Sequence, residues 1–290
     1  MTTLLTVLLG CYLLGGLLPL CTSRPHLQNI LAHSAAALAG GAGIALGLLG
    51  LVASQPLTIS VPSNIPYLTF ALRLDPLAAF FVLTISLVGM AASIYAYGYV
   101  REFTGRVSIG LLGSLLNGFL LSMTLVVLAD NGFFFLIVWE VMSLLSYVLV
   151  VTEHERPGVR EAGLFYLIMT HAGTAFIILT FLLFSQETGS FSFEAFRHPD
   201  QRLPDGLRSI AFFTALIGFG AKAGIVPLHV WLPYAHPAAP SHISALMSGV
   251  MIKTAIYGLI RVYFDFLEGQ FPWWWGFTVL SIGAVSALLG

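Results

Sequence analysis

Residues 216–233 read LIGFGAKAGIVPLHVWLP, an apolar run with a lysine at its centre. Gly218, Gly220 and Gly224 surround Lys222, and Pro227 follows five residues later. Pro227 has no N–H to donate to the carbonyl four residues back, at Ala223, so a helix through this run is expected to kink or unwind. Glycine and proline are each common in membrane helices. Their coincidence with a lysine is what carries weight, because a charge at the bilayer centre costs about 2.5–3.5 kcal/mol even on lenient insertion scales. Transporters place ion sites at such breaks, where the freed backbone lines a cavity or is buried in protein. The other lysine, Lys253, and the carboxylate of Glu140 also fall midway along apolar stretches. Three ionisable residues at that depth point to a route for protons or cations.

The whole chain agrees with a membrane setting. Of its 290 residues 58% are apolar and 9% charged, and the mean hydropathy is +0.92, whereas a soluble domain carries about 25% charged residues. A net charge of −1 and the absence of a basic face give no support to nucleic-acid binding. Cys11 and Cys21 sit in or beside the first apolar run and read as small packing residues. They offer neither a disulfide framework nor a metal pattern, and no metal site is expected.

About 20 helical residues cross a hydrocarbon core, and nine spans are expected, over residues 3–20, 29–52, 74–99, 108–128, 132–151, 161–184, 208–231, 241–265 and 272–290. The fold class is therefore an all-α polytopic transmembrane bundle with a broken seventh helix. The first span lacks a basic leader and an A-x-A site, so it reads as a helix and not a signal peptide. The ninth is still apolar at Gly290, which reads as a truncated chain or a piece of a longer bundle. Residues 53–72 combine three prolines with β-branched residues and predict an extended or hairpin loop on one membrane face. Residues 185–207 are the most polar stretch. Arg24, Arg101, Arg106, Arg156 and Arg160 fall on one side, which positive-inside reasoning makes cytoplasmic; Arg197, Arg202 and Arg208 crowd the other and weaken that bias.

Within the spans, Ser143 and Tyr147 follow Glu140 at i+3 and i+7 on one helical face. That stripe either solvates a carboxylate and holds a file of water, or holds a neutral acid that joins helices. Trp139 beside it reads as packing. His242 and Lys253 are eleven residues apart, a spacing that returns to nearly the same helix face about 16 Å along the axis. Ala245 and Gly249 lie between them and leave room for water, so this face is a candidate half-channel to a central lysine. The alternative for His242 is a helix-entry histidine bonded to a loop. His171, beside Thr170 and Thr174, is a candidate relay on equal terms with a structural role, and His229 and His236 read as interfacial. Lysine suits this chemistry because burial favours its neutral amine while a nearby carboxylate favours the ammonium. Moving Glu140 toward or away from Lys222 would load or discharge the lysine, with Lys253 as the next station.

Four strings carry a family resemblance: LRLDPLAAFF (72–81), IYAYGYV (94–100), FLIVWEVMSLLSYVLV (135–150) and AKAGIVPLHVWLPYAHPAAPSHISALMSGVMIKTAIYGLIR (221–261). With them the chain resembles the antiporter-like membrane subunits shared by respiratory complex I, cation/proton antiporters and membrane-bound hydrogenases. The last string and THAGTAF (170–176) resemble most the branch found in hydrogenase-4 and formate hydrogenlyase. The resemblance implies that Glu140, Lys222 and Lys253 are the family's proton-transfer groups, with His242 at a position used for proton transfer in some members, and Gly224 and Pro227 at the helix break. His171 and Thr174 stand where the complex I distal pump and its antiporter relatives carry Arg and Asp, which argues against that branch. The family has two inverted repeats. That implies three N-terminal helices with their loop in residues 1–107, a proton-conducting five-helix repeat in 108–265, and the start of a truncated second repeat in 266–290.

The expected function is proton translocation coupled to redox chemistry elsewhere in a respiratory complex in the bacterial inner membrane. Other membrane subunits and peripheral Fe-S and NiFe subunits are the expected partners. No redox cofactor is expected in this chain, which has no cysteine cluster and no dinucleotide-binding glycine fingerprint. The alternatives are a proton-pumping subunit of NADH:quinone oxidoreductase, a subunit of a multisubunit cation/proton antiporter, and a structural anchor whose charges serve assembly.

Overall fold

A computed structural model describes residues 1–197, 203–267 and 271–289. The first helix, α1 (Thr2–Leu17), continues as a 3₁₀ turn to Cys21, and α2 (Pro25–Val52) opens on a proline in its first turn. The connection that follows is the expected hairpin. Its strands β1 (Leu57–Pro62) and β2 (Thr69–Leu74) are antiparallel, with Leu57 opposite Leu74 and Val61 opposite Phe70. Asp75 then caps α3 (Pro76–Tyr99) by accepting from the Ala78 N–H at 2.9 Å, with Pro76 in the first helical position. Gly47 brings α2 against α3: a Cβ there would stand 2.7 Å from the Leu83 Cβ, the close approach that small residues permit between membrane helices.

Ser108 and Asn131 cap α4 (Ile109–Leu128) and α5 (Gly132–Val150), and α6 runs from Val159 to Thr188. A short helix, α7 (Phe193–Phe196), wedges two buried phenylalanines among Phe181, Phe184 and Phe266. The seventh span is broken, as expected, into α8 (Asp205–Ala223), a 3₁₀ turn at Leu228–Trp231 and α9 (Leu232–Ala238). In the eighth, α10 (Ser241–Leu246) and α11 (Ile252–Ile260) are separated by a π-helical turn, Met247–Met251, and a second π turn covers Arg261–Phe266. Among the described residues, eight segments are long and apolar enough to cross a membrane. The chain is a multi-pass membrane protein. The ninth expected span is present as α12 (Trp273–Leu289), apolar but only 17 residues long; Gly290, its expected end, lies outside the described residues.

One face of the bundle is closed by a clasp of charges. The Asp130 N–H donates to the Ala71 carbonyl, and the Phe193 N–H to the Asp130 carbonyl. The hairpin, the turn between α4 and α5, and the segment before α7 are thereby sewn together. Arg197 then pairs with Asp130 (2.9 Å) and Asp265 (2.8 Å), and Arg261 with Asp265 (2.9 Å) and Asp75 (2.5 Å). Burial opposes the charge of Asp75, but the hydrogen bond and charge of Arg261 outweigh it and hold that carboxyl below its ordinary range. At Asp130 burial wins over Arg197 and pushes the carboxyl up. Of the arginines on this side, Arg197 is thus bound by two carboxylates, while Arg202 lies outside the described residues. On the opposite face Glu153 receives both Arg106 (3.0 Å) and Arg156 (2.8 Å).

Candidate functional site

The break in the seventh span is built by the residues that predict it. Gly224 ends α8 in the left-handed region (φ 74°), and a Cβ there would fall 2.2 Å from the Leu232 Cδ1, so conformation and space both require glycine. Three backbone groups at the break find partners inside the protein. Trp231 Nε1 donates to the Ala221 carbonyl (2.8 Å), the Val226 N–H donates to Ser286 Oγ of α12 (3.1 Å), and the Ile225 N–H donates to the Gly220 carbonyl (3.0 Å). This is the condition under which irregular backbone is tolerated at membrane depth.

Lys222, one residue before the helix end, is 1% exposed. Its Nζ donates to Ser143 Oγ on α5 (2.9 Å) and to the Tyr166 hydroxyl on α6 (2.7 Å), and Tyr166 shares a further hydrogen bond with Ser146 (2.6 Å). The Tyr166 and Trp139 rings lie 5.0 and 6.0 Å from Nζ, within range of a cation–π attraction. The amine is therefore held by neutral oxygens and ring faces. Among the described residues no carboxylate comes within 4.0 Å of it.

The expected partner, Glu140, is turned to another residue. Its Oε2 lies 3.1 Å from His171 Nε2 on α6, and its Oε1 is buried without a partner. His171 Nδ1 faces the Leu167 carbonyl at 3.0 Å, an acceptor, so that nitrogen carries a hydrogen. Nε2 and the Glu140 carboxyl thus face each other at hydrogen-bonding distance across α5 and α6. Thr170 and Thr174 take no part, since both hydroxyls bond back to their own helix. On α5, Ser143 serves Lys222 and not the Glu140 carboxylate, and Ser146 is bonded to Tyr166. Tyr147 packs instead near Gly163.

The eighth span departs from expectation. His242 is 1% exposed and packs edge-on against Tyr99, with ring centroids 5.5 Å apart. Lys253 is exposed at the surface of the chain and donates to the Ser248 carbonyl. The two do not share a face. The eleven-residue spacing assumes unbroken α-helix, and the π turn between them winds i→i+5, which moves every later side chain around the axis. Gly249 does not open a path between them either: a Cβ there would sit 3.2 Å from Val88 Cγ1 of α3. His236 bonds Ser244 (3.0 Å).

Sequence reasoning missed Tyr166 and Ser146. The available signal was a hydroxyl-bearing aromatic midway along an apolar span, but nothing local says that it meets the lysine of another helix.

A family model described as NADH:quinone oxidoreductase/Mrp antiporter, TM, matches residues 129–290. Hydrogenase-4 component B of Escherichia coli (strain K12) is 44% identical over 87% of this chain and 37% of its own length. Formate hydrogenlyase subunit 3 of the same organism is 28% identical over 80% of this chain and 36% of its own. Among solved structures, the membrane-bound sulfane sulfur reductase, an archaeal respiratory membrane complex, contains a chain with a TM-score of 0.75 and 25% identity, covering 92% of this chain and 41% of that one. The present chain spans little more than a third of the length of these curated relatives. The match over residues 129–290, more than half of the chain, shows that it belongs to the NADH:quinone oxidoreductase/Mrp antiporter transmembrane family.

Proposed function

We propose that this chain translocates protons as the antiporter-like subunit of a respiratory redox complex of the hydrogenase-4 and formate hydrogenlyase type, in a bacterial inner membrane. The observation that carries the proposal is Lys222: an amine buried at a helix break and held by neutral oxygens, in a bundle that also brings Glu140 against His171. A buried ammonium held only by neutral oxygens parts with its proton more readily than one paired with a carboxylate. On this reading, Glu140 lying against His171 leaves the lysine ready to discharge. Return of Glu140 toward Lys222 would load the lysine. Tyr166 and Ser146 extend the hydrogen-bonded line from the amine, and Lys253 serves as the next station toward groups outside this chain. Residues 108–265 would form one conducting half and 266–290 the start of the other.

The hydrogenase-type assignment is supported by the 44% identity to a relative named Hydrogenase-4 component B. It implies peripheral Fe-S and NiFe subunits as partners. Copurification discriminates this reading from a multisubunit cation/proton antiporter: hydrogenase or formate dehydrogenase subunits favour the first, other antiporter subunits the second. The mechanism is tested by Lys222→Ala, which is expected to abolish proton translocation in membrane vesicles while the complex still assembles. Unchanged translocation by an assembled Lys222→Ala complex would remove the proposal.

A further inference from the structure

The face opposite the clasp holds its cations in another way. In the turn between α3 and α4 the N–H groups of Arg106 and Val107 both donate to the Phe103 carbonyl (3.0 and 3.1 Å). Ser108 then caps α4 by accepting from the Leu111 N–H (3.3 Å), which leaves its own hydroxyl hydrogen to donate. After α5 a 3₁₀ turn, Val151–Glu153, leads to His154, whose carbonyl receives Arg160 Nε from the first turn of α6 (3.1 Å). Glu153 accepts from both Arg106 and Arg156, so one carboxylate serves two guanidinium groups. Arg106 gives one nitrogen to it and its side chain is 65% exposed, whereas a guanidinium has five N–H donors.

These loops head a groove between α4 and α5, a cavity of about 290 Å³ with Arg106, Ser108 and His154 at one end. Leu111, Leu115 and Val148 line its wall, and Leu111 and Val148 are exposed. At 1.5 Å per residue Leu115 stands about 9 Å below the first residue of α4, so the apolar wall runs from the loops toward the middle of the membrane. Among the described residues no carboxylate lines the groove. Glu153, outside it, has both oxygens engaged, and the exposed Glu155 and Glu161 form no ion pair among the described residues.

A soluble anion would use the cations and the hydroxyl but leave the apolar wall uncovered. A zwitterionic lipid would cover the wall but bring its own ammonium to a guanidinium. A phospholipid with a net negative head group matches both ends, and basic pockets between transmembrane helices at head-group depth hold such lipids. We propose that the groove between α4 and α5 binds one anionic phospholipid of the adjoining leaflet, its phosphate on Arg106, Ser108 and His154 and an acyl chain along Leu111, Leu115 and Val148. The head group would tie the α3–α4 loop to the α5–α6 loop alongside Glu153. This inference does not rest on proton translocation by the chain.

The test uses the assembled complex in phosphatidylcholine nanodiscs, with a trace of phosphatidylglycerol carrying a photoreactive diazirine in its acyl chain. Labelled residues are read by mass spectrometry after illumination. Label is expected on Leu115 or Val148, and unlabelled phosphatidylglycerol is expected to displace it at least about fivefold more effectively than phosphatidylethanolamine. Inorganic phosphate, added at constant ionic strength, is expected not to compete. Label on the exposed face of α1, at Leu13 and Leu14, is expected to fall alike with either lipid. Arg106→Gln is expected to lower the groove label about fivefold, and Arg106→Lys to restore most of it. Val148→Trp, which fills the groove and leaves every cation in place, is expected to lower the label at Leu115 as well. Equal displacement by the two lipids would reduce the groove to ordinary lipid-facing surface and overturn the proposal. Competition by inorganic phosphate would overturn it in favour of a soluble anion, and a groove without label would overturn it in favour of a neighbouring subunit that covers this face. Displacement is measured on the natural protein, so the test stands even where a variant does not assemble.

Discussion

Two regions of this protein bury cations, and they satisfy them in opposite ways. At the hairpin face, Arg197 and Arg261 are met by Asp75, Asp130 and Asp265, with each arginine touching two carboxylates. At the helix break, Lys222 meets only the hydroxyls of Ser143 and Tyr166 and two ring faces. Arginine does not deprotonate in proteins, and a guanidinium saturated by carboxylates is a fixed charge. Lysine between neutral oxygens has no carboxylate in contact to hold its proton. The first arrangement ties loops together; the second suits a group that must exist in both protonation states.

The sharpest way to break the comparison is to give the helix break the cation of the clasp. Lys222→Arg keeps the positive charge but cannot release its proton, so translocation is expected to fall at least about a hundredfold, as far as with alanine. Assembly would be retained. Proton pumping that survives in Lys222→Arg vesicles would mean that the charge, and not its titration, is what the site needs.

The reverse experiment removes a cation from the clasp. Arg261→Met leaves Asp75 and Asp265 without it, and breaking a buried pair this way costs roughly 3–5 kcal/mol. The expected result is a markedly lower thermal unfolding midpoint in detergent or loss of the assembled chain, with Arg261→Lys intermediate. A midpoint equal to that of the natural protein would show the clasp to be dispensable.

A smaller effect is expected from Tyr166→Phe. It removes one of the two hydroxyls at Lys222 and cuts the link to Ser146, and a buried donor that loses its acceptor costs about 1–3 kcal/mol. Translocation is expected to slow about tenfold with little change in assembly, since the ring and its packing against Trp231 remain. Equal rates in Tyr166→Phe and the natural protein would place the proton path elsewhere.

The smallest effect separates two carboxylates within the clasp. Asp75 is held below its ordinary range, so its contribution to stability is fully present above about pH 4 and is lost as pH falls through the lower folded value. Asp130 is pushed the other way: its contribution is present below the ordinary carboxylate range and is lost as pH rises through the raised value. Asp130→Asn is therefore expected to change stability at neutral pH by about 1 kcal/mol or less, whereas Asp75→Asn lowers it more and flattens the acid limb. Thermal midpoints followed from neutral pH downward check this. A larger loss in Asp130→Asn than in Asp75→Asn would reverse the ranking.

Much of this was legible from residues alone, and the failures have a common cause. The broken helix was readable at Gly224 and Pro227, because a left-handed glycine and a proline without an N–H act on the backbone next to them. The hairpin at 53–72 was readable from its prolines and β-branched residues. The joint face of His242 and Lys253 failed because a π turn, which no local signal in MSGVM announces, lies between them. That Glu140 lies against His171 was likewise hidden. Its nearest base sits on α6, and the choice between His171 and Lys222 depends on how two other helices are rotated.

By itself the sequence determined a multi-pass helical bundle, the depth of its ionisable residues and the place where the seventh span breaks. These follow from hydropathy summed over about 20 residues and from dihedral limits at single positions. Only the tertiary structure decided that Lys222 is held by Ser143 and Tyr166, that Glu140 lies against His171, and that Arg197 and Arg261 are locked by three carboxylates. Each of those contacts joins residues from different helices or loops, and partner choice there is set by helix rotation and register, which the spacing within any one helix does not contain.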